Sequence, residues 1–311
     1  MPRKLSPKVK KIIDAAQLDS ISAKRKILKT PIRVSEHETI TSEEIVSMFP
    51  EDCSKRVYLE PFFQNGCVFF EALNQKITFS RQAINDEYGG VCTFFKVLRD
   101  NKKEFLEKLA LTPYALDELR ASLEHSDDPV EEARRVWIRS RHTLSGKATT
   151  AGDWCRNPGE SMEWRPATVA KMERQLKDLV VHLKGVAVDS VPPVKFLDKW
   201  CKKARGTNTV GTPVPNHPLF VFIKAPYMHN SLVAPTVQQK QFTQEDHLKL
   251  LQNLLSAPEG TKILLCGFSS ELYNTMLKGW NRVELKTNDV EKKKKEVVWF
   301  NYDDTLTRKK P

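Results

Sequence analysis

The sequence predicts an α/β fold: a sheet of about seven strands, flanked by helices and carrying a helical insert. Three observations lead there. Strand-like and helix-like stretches alternate along most of the chain, the pattern of a parallel sheet with crossover helices. The run Leu219-Phe220-Val221-Phe222-Ile223 is continuously apolar, as a strand covered on both faces must be, and it leads through Lys224, Ala225 and Pro226 to Tyr227. Near the end, residues 282–285 and Glu296–Phe300 read as two strands of a hairpin.

Taken in order, residues 1–29 form a basic extension with the periodicity of one short helix at Val9, Ile12, Ile13 and Leu18. It reads as a nucleic-acid arm or an organelle-targeting segment, and Asp14 and Asp19 count against targeting. Thr41-Ser42-Glu43-Glu44 caps a helix that runs through Ile45, Val46, Met48 and Phe49 to Pro50. Val57–Glu60 is a first strand, residues 61–66 are its turn, and Val68, Phe69, Phe70 and Leu73 line the next helix. A strand, a turn with a glycine and a helix make a pocket for a nucleotide, because the first N–H groups of the helix face the turn. Residues 81–84 form a second strand ending in Asn85-Asp86, where an acid either binds ribose hydroxyls or caps a helix.

Residues 91–123 are helical in pattern with a break at Thr112-Pro113, and residues 129–141 form a second helical block. Residues 142–166 read as a surface loop, followed by a helix to about residue 183, a short strand at 186–188 and a helix over 195–203. Residues 206–218 are a linker before the central strand, and 231–240 a loop after it. Thr243 to Asp246 caps a helix bearing Leu248, Leu251, Leu254 and Leu255; residues 262–268 are a strand and 270–277 a short helix.

Composition narrows the function classes. With 40% hydrophobic and 29% charged residues the chain is an ordinary soluble globular protein, and no apolar run approaches a membrane span. The first residues lack the apolar core of a secretory signal. Six cysteines stand without a single CxxC pair, so no zinc site or disulfide framework is expected and a reducing intracellular compartment is, with an organelle left open. A net charge of +11 and a pI of about 9.3 point to a polyanionic partner, nucleic acid first and an anionic membrane surface second. The positive charge gathers in residues 1–29, in the block from Arg134 to Lys147, and in Lys292 to Lys295 with Arg308 to Lys310. Arg134, Arg135, Arg139, Arg141 and Lys147 are the internal candidates for nucleic-acid contact, with solubilising charge as the alternative for the ends. For the arginines the alternative is pairing with the acids just upstream, Asp127, Asp128, Glu131 and Glu132.

The order of Tyr58-Leu-Glu-Pro-Phe62 with Gly66, Ile84-Asn-Asp86, residues 94–100, Leu111-Thr-Pro-Tyr114 and Glu132-Ala-Arg-Arg135 resembles the Dam-like DNA adenine methyltransferases. Asp246-His247, Cys266-Gly-Phe268, Leu272-Tyr273, Gly279-Trp280 and residues 296–301 continue the likeness, which spans about residues 29–301. The resemblance implies a Rossmann-like methyltransferase sheet formed by residues 30–100 and 166–301. It also implies a helical target-recognition insert at 101–165, leaving 1–29 and 302–311 as a basic extension and tail. It implies transfer of a methyl group from S-adenosylmethionine to the exocyclic amine of adenine, with Glu60, Phe62, Gly66 and Asp86 at the cofactor and residues 224–227 at the amine.

The departures fall on the chemistry. The family's turn offers acceptors to the target amine, whereas Lys224 has three donors and no acceptor. Its charge would also face a sulfonium: two unit charges about 5 Å apart repel by roughly 3 kcal/mol at an effective dielectric near 20. That is a hundredfold or so in rate. Ala225 loosens the turn, while Pro226 and Tyr227 keep an aromatic platform, or simply a half-buried tyrosine. The family's Gly-Gly-Lys element is replaced by Val34-Ser-Glu-His-Glu38, and Gln64 stands in the cofactor turn where glycine is wanted. The expectation is therefore a catalytically inactive methyltransferase-like protein with no cofactor, acting in nucleic-acid binding or in a ribonucleoprotein or DNA assembly. A divergent, active adenine methyltransferase using S-adenosylmethionine is the alternative, and a protein-binding scaffold the second.

Overall fold

The computed structural model describes residues 28–32, 42–143, 154, 166–204, 218–226, 242–284 and 296–306. Tyr227, Lys147, residues 1–27, Val34 to Glu38 and Arg308 to Lys310 lie outside the described residues. Seven strands are described: β1 (Val57–Glu60), β2 (Arg81–Asn85), β3 (Val186–Asp189), β4 (Leu219–Lys224), β5 (Lys262–Phe268), β6 (Asn281–Glu284) and β7 (Glu296–Phe300). They form one sheet in the order β3-β2-β1-β4-β5-β7-β6. The first five are mutually parallel, and β7 runs antiparallel to both β5 and β6. This is the α/β, Rossmann-like methyltransferase sheet expected from the sequence.

The central strand explains its own composition. Along β4, Phe220 and Phe222 point to one face, where they join Tyr58, Ile84, Leu264 and Val298. Leu219, Val221 and Ile223 point to the other, with Leu59, Ala83, Leu265 and Trp299. Because both faces are covered, the alternation that would mark a half-exposed strand is erased. On the first face an aromatic cluster locks the sheet to the segment before it: the Phe49 ring lies edge-on to Phe220 at 4.7 Å, and Tyr58 sits 4.7 Å from Phe79.

Helices α1 (Ser42–Ser47), α2 (Cys67–Asn74) and α3 (Gly89–Asp100) pack on that face. The stretch read as one broken helical run is three helices, α3, α4 (Lys102–Ala110) and α5 (Leu116–Ser122). The extra break falls at Asn101, a residue type that favours helix ends over interiors; here its backbone N–H closes α3 on the Val97 carbonyl and its side chain makes no cap bond. Helix α6 (Pro129–His142) starts with Asp128, which accepts from the Val130 N–H, and with Pro129 at the first turn. Helix α7 (Pro166–Leu183) completes this layer. Helices α8 (Pro193–Ala204), α9 (Gln244–Leu255) and α10 (Glu271–Met276) cover the opposite face, α9 behind a full capping box from Thr243 and Asp246. The side chains of α6 (Val130, Ala133, Val136, Trp137 and Ile138) belong to the same core as the sheet. The helices of the region expected as an insert thus share a core with the α/β layer.

At the amino edge of the sheet, four charges form one network. Arg56 pairs with Asp52 at 2.6 Å and donates to the Leu219 and Gly260 carbonyls. Lys262 reaches Asp52 at 3.0 Å and also pairs with Asp304. The Arg56 guanidinium, with help from Lys262, holds the Asp52 carboxyl down at about 2.

Candidate functional site

The carboxyl edge between β1 and β4 is where the chain's connections diverge, towards β2 and β3 on one side and β5 on the other. Open α/β sheets bind ligands at such a switch point. Glu60 ends β1 there and is only 3% exposed. Tyr58, two residues earlier on the same face, donates its hydroxyl to Glu60 Oε2 at 2.8 Å. Burial drives the Glu60 carboxyl well above the ordinary range; Asp86 pushes the same way, while the Tyr58 bond and the Lys224 charge pull back.

The turn after β1 shapes the rest. Phe63 donates its N–H to the Asn85 carbonyl at 2.9 Å. Gln64 then adopts a left-handed backbone, φ 51°, which costs a non-glycine residue of order 1 kcal/mol or more. Its N–H donates to Asp86 Oδ2 at 2.8 Å, and its side-chain amide reaches across to the Lys224 carbonyl at 3.3 Å. Gln64 thus spans the crevice from the β1 turn to the end of β4. Gly66 is left-handed at φ 72° and caps α2, and a Cβ there would come within 2.4 Å of the Phe63 ring. Its glycine is required by its own turn and neighbour.

Asp86 follows β2. Its other oxygen accepts the Tyr88 N–H at 3.0 Å, so both oxygens are engaged by backbone while two of about four acceptor positions remain. Burial pushes this carboxyl up to about 6, against the two N–H bonds. Asn85, fully buried, donates to the Pro61 and Val191 carbonyls and accepts from the Val191 N–H, each at 3.0 Å, tying the turns after β1 and β3 together. Sequence reasoning missed Gln64's bridge and Asn85's staple. The only signal was a polar pair, Asn85-Asp86, at the end of an otherwise regular strand.

Lys224 closes β4 at this edge, as expected, but it is not an open rim residue: it is 9% exposed. Among the described residues no carboxylate lies within 4.0 Å of its ammonium. Ala225 is buried and Pro226 exposed. Phe62, expected near the cofactor, instead packs edge-on against Phe242 at 5.4 Å in the core of the opposite face. Among the described residues the edge thus brings together the Lys224 cation and the two open acceptor positions of Asp86, with the Gln64 amide turned onto the Lys224 carbonyl.

The arginines of α6 are placed differently from the expected phosphate-binding stripe. Arg134 pairs with Glu118 at 2.6 Å and Glu131 at 2.8 Å, and these partners raise its guanidinium further above its ordinary value. Arg135 pairs with Glu131 at 3.0 Å and donates to the Glu124 carbonyl. Arg139 is 2% exposed; it donates to the Tyr88 hydroxyl at 2.7 Å, to Glu132 at 3.3 Å and to the Ser122 carbonyl. Arg141 donates to the Pro31 carbonyl. The acids Glu131 and Glu132, read as the alternative partners, are the ones engaged. A line of contacts runs from Gln64 through Asp86, Tyr88 and Arg139 to Glu132, joining the crevice to α6.

Among the described residues no group of three or more His, Cys, Asp or Glu side chains could hold a metal ion, and no helix is long and apolar enough to cross a membrane. No family model and no curated protein matches the chain. Among solved structures it is similar to an rRNA methyltransferase, AviRa, from Streptomyces viridochromogenes, with 12% identity over 85% of this chain and 84% of that one. The TM-score is 0.37, a likeness too slight to bear on activity.

Proposed function

We propose that this chain keeps a methyltransferase-like sheet without methyl transfer and serves as a nucleic-acid-binding component of a ribonucleoprotein or DNA-bound assembly. The observation that carries the loss of transfer is Gln64, whose side chain bridges to the Lys224 carbonyl across the crevice where a cofactor would lie. S-adenosylmethionine does not fit the residues present. Its ribose would find half of the Asp86 acceptor positions already taken by backbone N–H groups, and its methionine portion would meet the Gln64 side chain and approach the Lys224 cation. At the amine position Lys224 supplies donors where acceptors are needed.

Charge supports nucleic acid as the partner. With Arg134, Arg135 and Arg139 matched to Glu118, Glu131 and Glu132, most of the surplus of +11 resides elsewhere in the chain. Residues 1–29 alone carry nine basic side chains (Arg3, Lys4, Lys8, Lys10, Lys11, Lys24, Arg25, Lys26 and Lys29) against two acidic ones, Asp14 and Asp19. A surplus of this kind attracts a polyanion through counterion release.

One observation favours the alternative of a divergent active adenine methyltransferase: Asp86 retains acceptor capacity for ribose hydroxyls. The experiment that separates the two is incubation of the full chain with radiolabelled S-adenosylmethionine and DNA or RNA. The proposal expects no incorporation above background. Incorporation that disappears in a Tyr227→Ala variant would establish the alternative.

A further inference from the structure

Away from the switch point, a cleft of about 240 Å³ opens beside the edge strand β6, lined by Asn274, Lys278, Gly279, Trp280 and Arg282 over the buried Leu277 and Trp299. We infer that this cleft binds one nucleotide of a single-stranded nucleic acid, with Trp280 as the stacking surface and Lys278 and Arg282 as the phosphate contacts. The inference rests on the nucleic-acid reading above and gives it a location.

Local chain geometry builds the cleft. Helix α10 ends at Met276, and Gly279 turns the chain with φ 91°, a left-handed value that glycine adopts without strain. The Trp280 N–H then bonds back to the Leu277 carbonyl at 3.1 Å. That turn sets the half-buried indole between the core and solvent, packed against the opposite-face cluster. On the far side, Asn281 anchors the start of β6 by donating to the Tyr302 carbonyl at 2.8 Å and Asp303 at 3.0 Å. The backbone that carries Trp280 and Arg282 is therefore anchored on both sides of the cleft.

The chemistry of the lining selects the ligand. No acid lines the cleft. Lys278 is exposed, and among the described residues no carboxylate lies within 4.0 Å of its ammonium. Arg282 is held by Glu284 at 2.8 Å, but both side chains are more than a third exposed, and such surface pairs yield easily to a stronger anion. The Asn274 amide donates to Ser269 Oγ at 3.1 Å, leaving its oxygen available as an acceptor for a base edge. The space is smaller than the ~300–1,000 Å³ of a drug-sized pocket and suits a single base with its sugar. An aromatic platform beside cations is how single strands are held without regard to sequence. All four residues of β6 are exposed and the strand ends the sheet, so an extended polymer can pass along it.

The test is fluorescence anisotropy of a labelled oligothymidylate of about ten nucleotides with the full chain, across a range of salt. Lys278→Gln is expected to weaken binding and to flatten the slope of log K against log salt by about 0.7. Trp280→Ala is expected to weaken it on the order of tenfold while Trp280→Phe keeps most of the affinity. If Trp280→Ala fails to fold, the exposed Lys278 still decides. Parent-like binding and slope in Lys278→Gln overturn the cleft while leaving the nucleic-acid reading intact. An absence of binding by the parent chain overturns both.

Discussion

The arginine block of α6 and the carboxyl edge of the sheet both carry concentrated charge, and they dispose of it in opposite ways. In α6 three of the four arginines meet carboxylates, Arg134 at Glu118 and Glu131, Arg135 at Glu131, and buried Arg139 at Glu132 and the Tyr88 hydroxyl, while Arg141 donates to the Pro31 carbonyl. At the carboxyl edge Glu60 is buried with only a tyrosine hydroxyl on it and its pKa forced up, while Lys224 stands nearby without an ion-pair partner among the described residues. Paired charge holds α6 in place, whereas at the switch point the Tyr58 hydroxyl and the Lys224 charge only partly offset what burial does to Glu60. The amino edge, where Asp52, Arg56, Lys262 and Asp304 form one network, falls on the α6 side of the same comparison.

The sharpest way to break the comparison is Arg139→Gln. It removes the guanidinium from Glu132, itself nearly inaccessible and left with the Ser126 N–H and His125, and removes the donor to Tyr88, so it should destabilise the chain by about 3 kcal/mol in a denaturant titration. A cost under 1 kcal/mol would show that the arginine is free to leave α6, and the phosphate-binding role would return.

Acidity separates the two regions by sign. His142, at the end of α6, is buried and its pKa lies near 4 instead of 6.5, chiefly from desolvation. Its folded value is depressed, so the stability it leaves intact above pH 6.5 is lost as pH falls towards 4. At pH 5 that loss is about 2 kcal/mol, and His142→Gln should remove most of it from the pH profile. His247, which pairs with the Tyr273 hydroxyl at 2.8 Å and is likewise depressed to about 4 by burial, adds a loss of the same sign.

Glu60 works the other way. Its folded pKa is raised, so its cost is absent below the ordinary carboxylate range and grows as pH rises. Glu60→Gln should therefore change stability by less than about 1 kcal/mol at pH 5 and become progressively more favourable relative to the parent towards pH 8. A variant that lost ground with rising pH would place a matched, ionised carboxylate at the crevice. The smallest effect belongs to Lys224→Met, expected within about 1 kcal/mol at pH 7 by thermal melting, since no ion pair among the described residues is broken. A loss several times larger would make Lys224 a buried structural cation.

The sheet was legible because its signals are local. The apolar run of β4, the Asn85-Asp86 ending of β2 and the late hairpin each follow from period and punctuation, and the long alternation of elements fixes their class. The arginines were misleading for the converse reason. Four of them within eight residues of sequence look like a surface; Glu131 and Glu132 on the same helix were legible as partners, but Glu118 and Tyr88 reach them only through the packing of neighbouring segments, which no spacing rule reveals. Phe62 was misplaced similarly: it lies beside the expected cofactor turn in sequence but turns to the other face of the sheet, onto Phe242. Lys224 and Gln64 could be recognised as departures from a family pattern. That Gln64 reaches the Lys224 carbonyl depends on the β1–β4 adjacency, a product of topology.

The central claim is that the crevice at the β1–β4 switch point is closed by the chain's own residues and takes no cofactor. Titration calorimetry of the full chain with S-adenosylmethionine tests it most directly. The account predicts no saturable heat for the parent chain. Saturable binding that is lost in Asp86→Ala would contradict it, showing that Gln64 yields and that the ribose position still functions.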